Sequence, residues 1–389
     1  MSINSRGKNI VILSTEPWGK MLLSKMHYAN VLVEQGNRVF FINPPRETKG
    51  SPLVDIVEQH AEGRLTIADI RAIAGSLFLR HKLFPVFKMI SRRYARAIRR
   101  LVGEPIDEVW CFNPHVFVDL RAFKAKRSIL MIYDFYKGDH IFRTAATADA
   151  FITISQLILD HYRECPPRKL LMQHGLSRSF ATRAAGRLKD IEHAARPGNK
   201  IRVGYMGNLL RAGMNTDIAR EVITKHGDKE FHFWGPCSLE DNNVTPGGAT
   251  TAADLVSFIE FLRGRDNVIL HGMKDQESLA EGLSTMDVFL FLYSPRTEMN
   301  SASNAHKILE YLSTGKVVVS THVSNYAGTG LLTMTDKDRE EDFPALFETV
   351  TGRLSFYNDV DQQKKRIAFA LDNTYSRQVE RIQEFIYKP

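Results

Sequence analysis

The run Ser301-Ala-Ser-Asn-Ala-His-Lys-Ile-Leu-Glu-Tyr-Leu-Ser-Thr-Gly-Lys-Val-Val-Val-Ser-Thr321 decides how this chain is read. A loop of small polar residues opens a helix, Gly315 closes it, and an apolar β-branched strand follows at once. The start of such a helix offers backbone N–H groups and a positive dipole end, which suits a diphosphate. Lys307 adds a full charge in the first turn, and Ser303 and Asn304 lie in the loop that leads into it. Glu310, one turn further, places a carboxylate that can accept two hydrogen bonds from a ribose diol. The plain alternative is a solvent-exposed i, i+3 ion pair between Lys307 and Glu310.

Outward from this window, short apolar runs alternate with longer amphipathic stretches, the pattern of parallel strands joined by helical crossovers. Strands are expected at Asn9–Ser14, Arg38–Asn43, Asp107–Phe112, Ser128–Tyr133, Ala150–Ile154 and Lys169–Gln173. A second series is expected at Ile201–Met206, Glu230–Trp234, Asn267–His271, Val288–Tyr293 and Lys316–Ser320. The runs are continuous rather than alternating, as strands buried on both faces require. Between the two series, Arg178–Lys200 is polar, charged and broken by Pro197-Gly198, which marks an interdomain connection. The expected organisation is an N-terminal domain over 1–180, a linker over 181–200, a C-terminal domain over 201–370, and a terminal helix over 371–389 that packs back on the first domain. In such sheets ligands sit beyond the carboxyl ends of the strands, so the loops there are where chemistry is sought.

Composition sets the outer bounds. With 389 residues, 43% hydrophobic and 25% charged, two ordinary globular cores fit. The start Met1–Lys8 is polar, and no apolar run approaches the ~20 residues of a membrane span, so a cytoplasmic protein is expected. Cys111, Cys165 and Cys237 are too scattered for a disulfide framework or a paired zinc site. No Asp-x-Asp pair or His/Cys cluster stands at ligand spacing, so no metal and no cofactor are expected.

The net charge of +8 is unevenly placed: Arg80–Arg100 contains eight Lys and Arg residues and no acidic residue. Leu83, Val86, Phe87, Ile90, Tyr94, Ala97, Ile98 and Leu101 recur there at helical spacing. A basic amphipathic helix over Arg80–Leu101 suits an anionic membrane surface, with Arg92, Arg93, Arg96 and Arg99 as its charged contacts. Its alternative is a helix packed on the first sheet with solvated arginines. Nucleic acid is not expected, because the cluster lacks interleaved aromatic residues for base stacking.

The 301–321 window resembles the donor-binding signature of the group 1 glycosyltransferases, in which a small-residue loop, Lys, Glu, a short helix, Gly and a strand come in that order. Asn9–Pro45, with Trp18-Gly19 and Asn43-Pro44-Pro45, looks like the first βαβ unit of that family. Ala150–Phe180 is similar to the end of its first domain, and Val203–Asn215, reading VGYMGNLLRAGMN, to its second-domain glycine loop. Asn267–Pro295 resembles the stretch leading to the donor pocket. The resemblance implies a GT-B fold: α/β, two Rossmann-like doubly wound parallel-sheet domains facing an interdomain cleft. It implies a hexosyltransferase that moves a sugar from a nucleotide-sugar donor, most commonly UDP-linked in this family, to a saccharide or lipid-linked acceptor in cell-surface glycan synthesis. Gly207 and Asn208 are then expected to bring the backbone to the donor. Arg211 and Lys307 are expected to clamp the leaving diphosphate, and Tyr293 to pack on the donor or bond a phosphate.

One departure bears on stereochemistry. Many retaining members carry a glutamate eight positions before the one matched by Glu310, and that position is Ala302, with Glu298 nearby. Retention is therefore not assigned. An inverting enzyme needs a base, and Asp134, Asp139 and His115 are candidates, since all three follow predicted strands of the first half. Other readings of the same fold are a nucleotide-sugar epimerase and an inactive nucleotide-binding homologue.

Overall fold

The computed structural model describes residues 7–19, 22–47, 52–136, 138–191, 200–209, 213–237, 252–293 and 304–388. The chain divides into two compact units, one made of Met1–Gln173 with Tyr375–Pro389, the other of His174–Thr374.

Unit 1 is built on eight strands: β1 (Asn9–Leu13), β2 (Arg38–Arg46), β3 (Val54–His60), β4 (Leu65–Arg71), β5 (Glu108–Cys111), β6 (Arg127–Ile132), β7 (Ala150–Thr153) and β8 (Arg168–Leu171). Their order in the sheet is β3-β4-β2-β1-β5-β6-β7-β8, parallel except for β3, which runs antiparallel to β4. The helices are α1 (Ser24–Glu34), α2 (Ser76–Lys82), α3 (Phe84–Val102), α4 (Asp139–Ala145) and α5 (Gln156–His161). Strand β1 shows why the sheet is doubly wound: Asn9 to Leu13 are all buried, Val11 and Leu13 in the core on one face, Ile10 and Ile12 in the core on the other.

Unit 2 has six strands: β9 (Arg202–Met206), β10 (Glu230–Trp234), β11 (Val268–Gly272), β12 (Val288–Phe291), β13 (Val317–Ser320) and β14 (Thr333–Met334). They stand in the order β11-β10-β9-β12-β13-β14, all parallel. Its helices are α6 (Arg178–Lys189), α7 (Thr216–Lys225), α8 (Ala252–Arg263), α9 (Gln276–Ser284), α10 (Lys307–Ser313), α11 (Phe343–Gly352), α12 (Leu354–Tyr357) and α13 (Val360–Asp372). A last helix, α14 (Tyr375–Tyr387), belongs to unit 1.

All eleven strands expected from the sequence are present, within a few residues at their ends. The β3–β4 hairpin and the two-residue β14 were not expected: β3 is exposed along nearly its whole length, and β4, though buried from Leu65 to Ile70, has its apolar residues interrupted by Thr66 and Asp69. Two boundaries also differ. The units part at Gln173/His174 rather than at residue 180, and much of the expected linker is helix α6. The polarity of that stretch hid Phe180 and Ala184, spaced i, i+4, which are buried and seat the helix in unit 2. Residues 371–374 likewise stay with unit 2, and the terminal helix starts at Tyr375.

Helix α14 is held by a buried carboxylate. Glu108, fully buried at the start of β5, accepts hydrogen bonds from Lys8 Nζ, Trp110 Nε1, Gln383 Nε2 and the Tyr387 hydroxyl. A buried charge satisfied on so many sides rigidifies the helix it binds.

The basic segment Arg80–Leu101 is two helices, α2 and α3, parted at Leu83, because Pro85 occupies the first turn of α3 and fixes a new start there. Phe87, Ser91, Tyr94, Ile98 and Val102 form the stripe that packs into unit 1.

Candidate functional site

Each sheet has one point where the winding reverses, and several of the candidate residues follow the strands beside it. In unit 2 the reversal lies between β9 and β12. Gly207 directly follows β9, Tyr293 stands two residues beyond β12, and Lys307 opens α10. Tyr311 locks that helix against β9: its hydroxyl accepts from the Met206 N–H at 2.7 Å and donates to the Met206 carbonyl at 3.2 Å. Its ring also stacks on Phe289 of β12 at 4.4 Å. Tyr293 is fixed from the other side, where Thr321 Oγ1 donates to its carbonyl at 2.6 Å.

Lys307 is only 5% exposed. Its Nζ donates to the Tyr293 hydroxyl at 2.8 Å and lies over the rings of Tyr293 and Tyr205, 4.4 Å and 5.2 Å from their centroids. No carboxylate among the described residues comes within ion-pair distance of it, so the expected alternative of an exposed Lys307–Glu310 pair does not hold. The phenol and the ring faces compensate a buried ammonium only partly, which leaves it chemically suited to an anion.

Gly207 leaves room for the Lys307 ammonium: a Cβ there would meet Lys307 Nζ at 2.5 Å and the Tyr205 hydroxyl at 3.1 Å. Gly235, after β10, is required more strictly. At φ +133° its Cβ would stand 2.0 Å from the Gly207 carbonyl oxygen and 3.5 Å from the Asn208 nitrogen. The Gly207 N–H donates to Trp234 and the Gly235 N–H to Gly272, which ties three strand ends into one narrow backbone cradle. Gly235 escaped the sequence reading, although the same signal of a glycine closing a buried strand marks both positions.

Glu310 sits one turn beyond Lys307, with Oε2 buried and without a hydrogen-bond partner among the described residues. Burial pushes its carboxyl up to about 8, opposed by the charge of Lys307. Asn304 is buried, and its carbonyl accepts from His174 Nε2 at 3.1 Å, which anchors the loop before α10. Burial brings His174 down to about 4, so the ring is neutral at physiological pH. The helix start itself corrects one expectation. The N–H groups of Ile308 and Leu309 already bond to Ala305 and His306, so the charge of Lys307, not those two donors, is what the segment offers an anion. Asn208 is half-buried. Arg211, Ser303, Ala302 and Glu298 lie outside the described residues.

In unit 1 the winding reverses between β1 and β5. His115 follows β5, and its Nδ1 lies 2.9 Å from Nε2 of His140. Gly138 makes room for this, since a Cβ there would meet the His140 ring at 2.5 Å. Arg80 donates to the His115 carbonyl at 3.2 Å. Burial, then the Arg80 charge, lowers the His115 pKa, while Asp134 opposes both. Asp134 is exposed after β6 and accepts from the Tyr136 hydroxyl at 3.4 Å. Lys25, in the first turn of α1, was missed because nothing in its local sequence distinguishes it. It is buried, bonds Thr15 Oγ1 at 2.5 Å and pairs with Glu16, and burial lowers its pKa to about 8 against the pull of Asp134. Asp139 is exposed at the first position of α4, and no hydrogen bond or ion pair among the described residues joins it to this cluster. There it meets the positive end of its own helix.

Among the described residues no three His, Cys, Asp or Glu side chains group as metal ligands, and no helix is long and apolar enough to cross a membrane.

No family model matches this chain, and no curated protein resembles it in sequence. Solved structures do resemble it. An α,α-trehalose-phosphate synthase (UDP-forming) from Burkholderia vietnamiensis is 11% identical, with a TM-score of 0.67 over 98% of this chain and 100% of that one. The sucrose-phosphate synthase from Thermosynechococcus elongatus is 13% identical, with a TM-score of 0.66 over 98% and 99%. The Escherichia coli trehalose-6-phosphate structure bound with UDP-2-fluoro glucose is 10% identical, with a TM-score of 0.65 over 98% and 99%. A likeness at this identity speaks to architecture, and with its two α/β units of parallel strands this chain has the GT-B fold of those glycosyltransferases.

Proposed function

We propose that this chain is a glycosyltransferase of the group 1 type, taking a sugar from a nucleotide-sugar donor and passing it to an acceptor hydroxyl. The observation that carries the reading is the Lys307 ammonium, buried at the reversal point of the second sheet with neutral partners and with Glu310 one turn away. In this reading the donor diphosphate takes the place of a counter-ion for Lys307, its backbone approach is opened by Gly207 and Gly235, and Glu310 accepts the ribose diol. The acceptor oxygen forms a bond to the anomeric carbon, the bond from that carbon to the phosphate oxygen breaks, and the nucleoside diphosphate leaves with its charge. His115, oriented by His140, or Asp134 takes the acceptor proton.

A UDP-linked hexose is the proposed donor, supported by the UDP-forming enzyme and the UDP-2-fluoro glucose complex among the structural neighbours. Because Lys307 itself supplies positive charge, the proposed reaction needs no metal. The proposed acceptor is a saccharide or lipid-linked saccharide of cell-surface glycan synthesis, met in the cytoplasm.

The test is nucleoside diphosphate release from a panel of labelled nucleotide sugars, with chelator present, against saccharide and lipid-linked acceptors. Release that depends on an acceptor supports transfer. A new sugar isomer without acceptor makes the protein an epimerase, and nucleotide binding without turnover on any donor makes it an inactive homologue.

A further inference from the structure

The outer face of α3 is divided along its length in a way that packing does not explain. Val86, Met89, Arg93, Arg96 and Arg100, spaced three and four apart, all project to solvent on one stripe opposite the buried one. Its first part is apolar: Val86 is 42% and Met89 68% exposed, and beside them at the corner with α2 stand Leu83 at 53% and Phe78 at 66%. Four of the ten large exposed apolar residues described thus fall within twelve positions. Scattered single apolar side chains need no account, whereas a group of this kind does.

The second part of the stripe is cationic and unpaired. Lys88 and Arg92 turn to the buried Asp119, at 3.6 Å and 2.7 Å, but Lys82, Arg93, Arg96, Arg99 and Arg100 have no acidic partner among the described residues. A protein partner would need an acidic surface and an apolar pocket in register. An anionic bilayer supplies both at once, as headgroup phosphates around an acyl boundary.

We propose that the α2–α3 corner is a peripheral membrane-docking surface, in which Phe78, Leu83, Val86 and Met89 enter the headgroup boundary of an anionic bilayer while Arg93, Arg96 and Arg100 bind lipid phosphates. The surface adjoins the candidate acceptor residues, since Arg80 of α2 holds the carbonyl of His115. The docking holds whether or not the catalytic reading does, because vesicle binding is measured without turnover.

The experiment is co-sedimentation of the full chain with phosphatidylcholine vesicles, with and without about a quarter of phosphatidylglycerol. The expected result is binding to the anionic vesicles only. The pair V86D and M89D, and separately the triple R93E, R96E and R100E, each lower partitioning about tenfold or more, with melting temperature unchanged. Three results overturn the proposal: no vesicle binding by the wild type; binding that survives both variants; or vesicle-independent self-association abolished by M89D, which would make the corner an interface between copies. Equal binding to RNA that vesicles do not displace would also overturn it.

Discussion

The Lys307 ammonium donates a 2.8 Å hydrogen bond to the Tyr293 hydroxyl, so a buried cation at the end of the central strands rests on a neutral partner. Removing either member therefore has unequal consequences. Lys307→Ala is expected to weaken nucleoside diphosphate binding by about 1–3 kcal/mol, the worth of a charge-assisted bond. Tyr293→Phe, which leaves the ammonium in place, is expected to cost less than Lys307→Ala. Isothermal calorimetry reads both, and unchanged affinity in Lys307→Ala removes this lysine from the site.

Gly207 and Gly235 separate binding from folding. A methyl on Gly207 meets the mobile end of Lys307, so Gly207→Ala is expected to fold normally and lose nucleotide affinity as the ammonium is pushed aside. A methyl on Gly235 meets a backbone carbonyl at 2.0 Å from a left-handed φ, so Gly235→Ala is expected to lose about 2 kcal/mol of stability or more. Thermal unfolding of the two variants side by side distinguishes the cases.

Glu310 is expected to make both stability and nucleotide binding depend on pH. Its folded carboxyl is raised to about 8, whereas the unfolded one titrates near ~4.3. The folded state keeps a proton that the unfolded state has lost, so the contribution is whole below the unfolded value and disappears as pH rises toward 8. Glu310→Gln is expected to flatten the fall in melting temperature between these limits. If the ribose diol is bound by the ionised carboxylate, nucleotide affinity of the wild type rises with pH up to about 8, and binding releases a proton. Calorimetry in buffers of different ionisation enthalpy measures that proton.

The unit 1 candidates are expected to act on turnover alone. His115→Ala and Asp134→Asn should leave nucleotide affinity intact, with kcat falling about 10²–10⁴-fold for whichever group is the base. Asp139→Asn should change little, since Asp139 is exposed in the first turn of its helix and no bond among the described residues joins it to His115 or Asp134. If His115 is the base, the acid limb of the kcat/KM profile lies below the ordinary histidine value, because burial and Arg80 hold its pKa down. A limb displaced upward instead assigns the role elsewhere.

The central strands were legible because parallel strands buried on both faces carry continuous apolar runs, as Ile10 to Leu13 in β1 and Val317 to Val319 in β13 do. The edge strand β3 was not, since an exposed edge strand is under no such demand. Helix α6 resembles a linker in sequence because the few apolar residues that seat it, Phe180, Ala181, Ala184 and Leu188, stand among many charged ones.

What the sequence determined by itself was the alternation of strands and helices, and with it the class of fold, because burial forces composition locally. It also singled out Lys307 and Glu310 by residue type at the start of a helix, and Gly207 through a family resemblance. Tertiary structure alone decided their condition: that Lys307 is buried against Tyr293, that Glu310 keeps an oxygen unpartnered among the described residues, and that Gly235 presses on Gly207. Lys25 and His140 entered only there as well. Desolvation and contact depend on residues far apart in the chain, and no local pattern records which of them the sheet will bring together.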